Sequence, residues 1–174
     1  MEEYKEIKLT QGKVALVDPE YFDRLNSVKW YAQASREGFY ALRHVRLENG
    51  RRGISSMHRE VLGAVPGEIV DHINRDRLDN RWKNLRVATE AQNRQNVGKH
   101  TDAQTSEFKG VCFNRQKKMF MARIGYDGEM HHIGYFVEAE DAARAYDREA
   151  LIHFGEFAYL NFPEADVDNS KERT

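Results

Sequence analysis

Residues 71–93 constrain the fold more than any other part of the chain. Residues 68–72 (Glu-Ile-Val-Asp-His) predict a short strand that ends in an acid and an imidazole, and a turn-rich polar run follows them. Residues 85–88 predict a second strand. Residues 89–92 (Thr-Glu-Ala-Gln) have the form of a capping box, so a helix that carries Asn93 in its first turn should begin there. The pattern predicts two strands, a loop and a helix that converge on one point.

The polar residues of this stretch suit the hydrolysis of a phosphodiester. That reaction needs a water nucleophile, a base and positive charge on the developing anion. Asp71 and Asn93 offer hard oxygen ligands for one Mg²⁺ or Mn²⁺ ion. His72 is expected to be mostly neutral at pH 7 and to accept the proton of the water. Asn84 is expected to hydrogen-bond either the imidazole or nearby backbone. His58, which begins a short apolar helix, is expected to support the site by packing.

The length of 174 residues suits one ordinary domain or two small modules, and two modules are the preferred interpretation. Short apolar runs over residues 5–58, separated by glycines, predict a small antiparallel sheet. They are interrupted by a helix from Pro19 through Val28, for which Asp18 is the expected N-cap. Trp30 and Trp82 are expected to be core or interface anchors. The sequence predicts four segments. They are a first domain over 1–97 with a finger at about 57–97, a linker over 98–106, a second domain over 107–163, and an acidic tail over 164–174.

The net charge of −1 hides an uneven distribution. Residues 36–99 hold 13 Lys and Arg against 8 Asp and Glu, and residues 107–137 hold 5 against 3. Residues 138–174 hold 4 basic and 10 acidic residues, so a helix face and a tail mask two basic segments. Those two segments can meet a phosphate backbone.

The second module predicts three strands and one helix. Asp127-Gly128 between alternating runs is a hairpin signal, because both residues tolerate a positive φ. Alanines at helical spacing over residues 139–154, with Gly155 as terminator, predict a helix that packs closely on the sheet. The free face of the sheet is expected to present basic residues, near Phe113 and Phe120, to the major groove of DNA. The residues expected to contact DNA across both modules are Arg75, Arg77, Arg94, Arg115, Lys117, Lys118 and Arg123.

Several classes of protein are disfavoured. No apolar run approaches the length of a membrane-spanning helix, and the N-terminus does not have the pattern of a signal peptide. Cys112 is the single cysteine, which excludes an internal disulfide and fits a reducing compartment, so a cytoplasmic location is expected. A structural zinc module is disfavoured because one cysteine and scattered histidines do not readily supply four tetrahedral ligands.

Residues 71–86 (Asp-His-Ile-Asn-Arg-Asp-Arg-Leu-Asp-Asn-Arg-Trp-Lys-Asn-Leu-Arg), with Met57-His58-Arg59 before them and Asn93 after them, resemble the HNH homing endonucleases. The resemblance covers roughly residues 5–97. It implies a ββα-metal finger that cleaves DNA with one divalent ion. By motif position, Asp71 and Asn93 would be metal ligands, His72 the general base and Asn84 its orienting residue. Many relatives have a third histidine where this chain has Asn93, a substitution also found in the phage and intron-encoded branch.

The second module closely resembles the Apetala-two (ethylene-response-factor) DNA-binding domain. The resemblance rests on residues 108–115, 134–147 and 160–163. It implies a sheet that reads DNA. Positions that are arginine or tryptophan in the plant factors, and the usual threonine at the helix start, differ in this chain, where they are Cys112, Asn114, Gln116 and Glu138.

The predicted fold class is α+β: a small N-terminal antiparallel sheet with a ββα-metal finger, followed by a three-stranded antiparallel sheet packed on one helix. The predicted function is that of a site-specific DNA endonuclease of the homing type. It acts on double-stranded DNA, needs no obligate protein partner, and nicks as a monomer. The alternative is a DNA-binding regulator with an inactive HNH module.

Overall fold

The computed structural model describes residues 3–98 and 106–163. Contacts within the chain divide it into two compact units, Met1–Asn93 and Arg94–Thr174. Most of the predicted linker, residues 99–105, and the predicted acidic tail, 164–174, lie outside the described residues.

The first unit contains seven strands and three helices within its described part. They are β1 Lys5–Lys8, β2 Val14–Val17, α1 Pro19–Asn26, β3 Tyr31–Ser35, β4 Gly38–Arg46, β5 Arg52–Ser56, α2 Met57–Leu62, β6 Ile69–His72, β7 Leu85–Ala88 and α3 Glu90–Gln95, whose last two residues belong to the second unit. All sheets are antiparallel: β1 pairs with β2, β3-β4-β5 form a three-stranded sheet, and β6 pairs with β7. The single small sheet predicted before the finger is therefore two sheets.

One apolar core joins these elements. Ile7, Val17, Leu25 and Met57 have at most 2% of their surface exposed, and Trp30 packs with them. The Trp30 indole Nε1 donates a hydrogen bond to the Leu25 carbonyl at 2.8 Å, which satisfies the one polar atom of that buried ring. Trp30 is thus the core anchor that the sequence predicted.

One local prediction in this unit is wrong and another is narrowed. Trp82 is 56% exposed and does not belong to the core, so only its role as an interface anchor stays a prediction. Asp18 does not cap α1 through its side chain; its carboxylate instead accepts a hydrogen bond from the Trp82 backbone N–H at 2.7 Å. The Asp18 carboxylate bonds the backbone N–H of a residue 64 positions away and not the free N–H groups of α1. A carboxylate that precedes a helix can accept from any N–H group that lies near it. The helix also ends at Asn26, two residues before the predicted end.

The second unit is a three-stranded antiparallel sheet packed on one helix. Its elements are β8 Val111–Asn114, β9 Met119–Tyr126, β10 Glu129–Phe136 and α4 Ala139–Phe154. The strand order is β10-β9-β8, and Asp127-Gly128 form the predicted two-residue turn with φ of 53° and 80°. Ala142, Ala143 and Ala150 are fully buried on α4. Small side chains therefore bring this helix close to the sheet, as the sequence predicts.

The α+β fold class is confirmed. Within the described ranges, no helix has both the length and the apolar character needed to cross a membrane.

Candidate active site

The β6–β7 ladder brings the predicted acid and imidazole into the interior of the first unit. Asp71 and His72 are the last two residues of β6, and they are 7% and 4% exposed. Asp71 lies opposite Arg86 and His72 lies opposite Leu85. The strand ends at His72, and the polar loop follows it directly.

Asp71 is paired with Arg86 across this ladder. The Arg86 Nε and Nη2 atoms donate to Asp71 Oδ2 at 3.0 and 2.8 Å. Both side chains are nearly buried, at 10% and 8% exposure. Sequence reasoning missed Arg86, because its position opposite the acid depends on a strand register that spacing alone does not fix.

His72 lies in an aromatic surrounding. Its ring meets that of His58 edge to face with centroids 5.0 Å apart, and the Tyr40 ring lies 6.2 Å away. Burial lowers the pKa of His72, and this effect outweighs the opposing influence of a hydrogen bond with Asn80 and of the Asp71 charge. A neutral imidazole at pH 7 is able to accept a proton.

His58 is kept neutral even more strongly. Burial, followed by the neighbouring His72, lowers the pKa of His58 to about 3. Its Nε2 lies 3.2 Å from the Ser56 hydroxyl, and its ring also packs against Tyr40 at 5.4 Å. The structure therefore places His58 in contact with the ring of the predicted base.

Asn84 orders the loop between the strands. Its Oδ1 accepts a hydrogen bond from the Asn74 backbone N–H at 2.9 Å, and its Nδ2 donates to the Asp79 carbonyl at 2.7 Å. Of the two roles predicted for Asn84, these bonds correspond to the one toward nearby backbone.

Asp79 is the centre of this loop, and sequence reasoning missed it. Its carboxylate accepts hydrogen bonds from the Asn74 Nδ2 at 2.8 Å and from the Arg81 Nε and Nη2 at 2.8 and 2.7 Å. Burial alone would raise the pKa of Asp79, but the bonds and charge of Arg81, joined by Asn74, hold it below its ordinary value. The neighbouring Asn80 is fully buried. The polar loop between β6 and β7 is therefore ordered by its own buried side chains and hydrogen bonds.

A parallel bridge fastens the same loop to β2. The Leu16 N–H donates to the Leu78 carbonyl, and the Asn80 N–H donates to the Leu16 carbonyl, each at 2.8 Å. The N-terminal hairpin thus supports the site directly.

Asn93 lies on α3, directly after β7. The predicted capping box is confirmed: Gln92 Oε1 accepts from the Thr89 N–H at 2.8 Å, and Thr89 Oγ1 accepts from the Gln92 N–H at 3.2 Å. The Asn93 N–H continues the helix to the Thr89 carbonyl, and the residue is half-buried.

The donor set suits a hard divalent ion. One carboxylate and one amide oxygen match Mg²⁺ or Mn²⁺, which keep several waters and take substrate oxygens. Among the described residues, no three His, Cys, Asp or Glu side chains converge on a metal position, so a closed protein cage of the zinc type is absent there. Asp71 and Asn93 carry oxygen donors of the kind that an open magnesium-type site uses, and their role as ligands stays a prediction.

The basic residues predicted on the first module have different environments. Arg75 is exposed and has a φ of 67°. Arg77 is engaged within the unit: its guanidinium pairs with Glu37 and lies 4.8 Å from the centroid of the Tyr40 ring. Arg94 is exposed near the end of α3.

The prediction for the second sheet is partly wrong. Arg115, Lys117 and Lys118 lie in the turn between β8 and β9, outside the strands. Only Arg123 of the four is on a strand, and it is exposed between buried Ala122 and Ile124, so it faces away from α4.

The two aromatic residues expected beside Arg123 lie on the other face. Phe113 is paired with Phe120, which packs against the core under α4. Their rings meet edge to face at 5.1 Å. The four-residue turn at 115–118 sets a register that puts Phe113 and Phe120 on one face, and Arg123, three residues after Phe120, lies on the other.

The first unit thus places a buried imidazole and a carboxylate at the end of a two-stranded ladder that is followed by a capped helix. The HNH endonuclease family model matches residues 57–95, from α2 to the last residue of α3. The chain is also 32% identical over 155 residues to an uncharacterised HNH endonuclease of Acanthamoeba polyphaga mimivirus, with 87% of this chain and 76% of that protein covered. The chain belongs to the HNH endonuclease family. Its class is therefore that of a nuclease acting on DNA, and HNH nucleases generally use a divalent metal ion.

Proposed function

We propose that this chain is a site-specific DNA endonuclease of the homing type in which His72 is the general base and Asp71 and Asn93 hold one Mg²⁺ or Mn²⁺ ion. The observation that carries the proposal is the buried, neutral His72 next to Asp71 at the end of β6. The homing type rests on the resemblance of residues 5–97 to such enzymes.

His72 takes the proton of the attacking water. Its ring packs in one cluster with the rings of His58 and Tyr40, which limits its rotation. The metal ion, when bound, supplies positive charge for the phosphate and the leaving oxygen. Asn84 keeps the loop after β6 in place through its two backbone bonds.

Basic clefts on the first unit support contact with a phosphate backbone. Two clefts meet at His44; Arg46 and Arg52 line one of them, and Lys8 and Lys29 line the other. No acidic side chain of the described residues lines either cleft. Basic side chains that line a cleft favour a polyanion, with binding that weakens as salt rises.

The second unit is proposed to add DNA contacts as an Apetala-two-like domain. What supports this is the architecture of a three-stranded sheet on one helix and the exposed Arg123 on the free face. Arg115, Lys117 and Lys118 in the exposed turn are proposed to contact phosphates. Arg75 and Arg94 are proposed to do so from the first unit and from α3. Arg77 is proposed to reach DNA only after release from Glu37.

One finger per chain has one base and one metal position, so a monomer is proposed to cut one strand. A double-strand break would need a second copy or a second event.

The test of the activity is the cleavage of supercoiled plasmid that carries a DNA bound by the protein, with Mg²⁺, Mn²⁺ or EDTA. Wild type should nick with metal and not with EDTA. His72→Ala should lose about 10²- to 10⁴-fold in rate and keep DNA affinity. His153→Ala, a histidine on α4 of the second unit, is the matched control and should nick as wild type does.

The outcomes separate the readings. Metal-independent cutting, or equal cutting by His72→Ala, would refute the site. Absence of cutting by wild type on DNA that it binds would favour a regulator with an inactive finger.

The second unit is tested by DNA binding over a salt series. Arg123→Ala should weaken binding and reduce the salt slope by about one. Arg148→Ala removes an exposed arginine of α4 and should leave both unchanged. Equal effects of the two variants would argue against the sheet face as the contact surface.

A further inference from the structure

Arg86 touches the one carboxylate that the proposed metal site uses. Two guanidinium nitrogens donate to the same Asp71 oxygen, at 3.0 and 2.8 Å, from the facing position of the neighbouring strand. The pair is nearly excluded from water, with side-chain exposures of 10% and 8%. The Arg43–Glu60 pair of the same unit is more exposed to solvent, with side-chain exposures of 29% and 17%.

A buried carboxylate requires a positive partner. In the absence of a metal ion, Arg86 supplies such a charge through two hydrogen bonds to Asp71, and its removal would raise the cost of keeping this carboxylate buried and ionised. A divalent cation at Asp71 would be a second positive charge on the same group. Arg86 and the metal therefore share, and compete for, the charge of one carboxylate.

We propose that Arg86 is an internal counter-ion of Asp71 that weakens divalent-metal binding to the DNA-free protein. The inference rests on the proposed role of Asp71 as a metal ligand and adds the regulation of that site. At the effective dielectric of a protein interior, a unit charge a few ångströms from a bound cation costs on the order of tenfold or more in affinity.

DNA would reverse this balance. A phosphate that enters the site brings negative charge, which offsets the guanidinium and leaves the metal the stronger partner of Asp71. Metal and DNA then bind with positive coupling, and each raises the affinity of the other by the same factor. The consequence is a finger that holds its metal poorly until substrate is present.

A purely structural role of Arg86 predicts a change in metal affinity of the opposite sign. If Arg86 only held Asp71 in place for the metal, its loss would loosen the ligand and weaken metal binding. The direction of the change in metal affinity therefore decides between the two roles.

The experiment is calorimetric titration of the full chain, without DNA, with Mn²⁺. Arg86→Gln removes the charge and keeps a hydrogen-bond donor, and it should bind Mn²⁺ roughly tenfold more tightly than wild type. Arg86→Lys keeps the charge and should bind as wild type does. Arg43→Gln breaks the Arg43–Glu60 ion pair and should leave the Mn²⁺ affinity unchanged. Asp71→Asn should abolish the binding.

A second measurement, thermal melting, keeps the test decisive if Arg86→Gln is too unstable for titration. The rise in melting temperature on addition of Mn²⁺ should be larger for Arg86→Gln than for wild type, because a bound Mn²⁺ then replaces the positive charge that Arg86 supplied. Arg43→Gln should show the wild-type rise.

Two failures are distinguishable. Mn²⁺ binding that is lost in Asp71→Asn but is equal or weaker in Arg86→Gln would overturn the counter-ion and leave the metal site intact. Absence of any binding that depends on Asp71, with or without DNA, would overturn the proposed site and the counter-ion with it.

Discussion

The two units of the chain bury polar groups to different extents. Six of the eight buried polar or charged residues described lie in the first unit, five of them between Asp71 and Asn84. The second unit buries an alanine-rich helix against a sheet, and its buried carboxylate, Asp147, accepts hydrogen bonds from Asn161 and Phe162. A buried polar group costs free energy unless it is fully bonded. These groups are concentrated in the finger, which is the segment that carries the proposed active site.

The largest expected effect is at Asp79. Asp79→Ala removes the acceptor of Asn74 and Arg81 and should destabilise the first unit by about 3–5 kcal/mol. Hydrogen exchange resolved by mass spectrometry should show faster exchange over residues 73–84 and unchanged exchange in the second unit.

Asp147→Ala is the matched change in the second unit. It should free residues 160–163, which Asp147 holds through the Asn161 and Phe162 backbone, and leave the finger protected. If both variants loosened both units, the contrast between them would be lost.

The next effect is a dependence of stability on pH. The folded state keeps His58 neutral down to a pKa of about 3, whereas the unfolded chain binds a proton below about 6.5. The contribution of His58 to stability is therefore complete above pH 6.5 and is lost as the pH falls toward 3. Denaturant unfolding at several pH values should show that His58→Gln is less acid-sensitive than wild type, and equal slopes would contradict this origin.

A smaller effect is expected at the start of α3. Thr89→Ala removes one of the two reciprocal bonds of the capping box and should cost about 1 kcal/mol. Exchange of the α3 amides should accelerate, and Mn²⁺ affinity should fall, because the helix carries Asn93. Unchanged α3 exchange would show that tertiary contacts alone hold it.

The smallest effect concerns α4, whose N-cap, Glu138, makes no side-chain capping bond. Glu138→Thr should stabilise the second unit by about 0.5–1 kcal/mol, since a threonine at this position can accept from the first free N–H groups. Thermal melting of the full chain should record the gain, and a loss would indicate that Glu138 has another role.

Local features of the fold were predictable. The capping box, the Asp127-Gly128 turn and the alanine face of α4 each depend on residues within a few positions of one another, so their physics is contained in the sequence pattern. The order of strand, loop, strand and helix followed from the same kind of signal.

Long-range pairings were not predictable. Asp18 bonds Trp82, Arg86 faces Asp71, and Asp79 is buried, each because of a register or a docking that no single stretch encodes. The roles assigned to Asp71, His72, Asn84 and Asn93 stay predictions until they are measured. The structure adds Arg86, Tyr40 and Asp79 to the residues that such measurements should include.

The bridge between Leu16 and residues 78–80 has a consequence for the order of folding. A ribosome delivers the β1–β2 hairpin before the finger, and the bonds that Leu16 makes to residues 78–80 form only after more than sixty further residues have been made. An open strand edge invites pairing with other chains, so the nascent hairpin is the vulnerable stage of synthesis. Residues 78–80 of the finger bond this edge once they have been synthesised. The segment that carries the proposed active site therefore also completes the hydrogen bonding of β2.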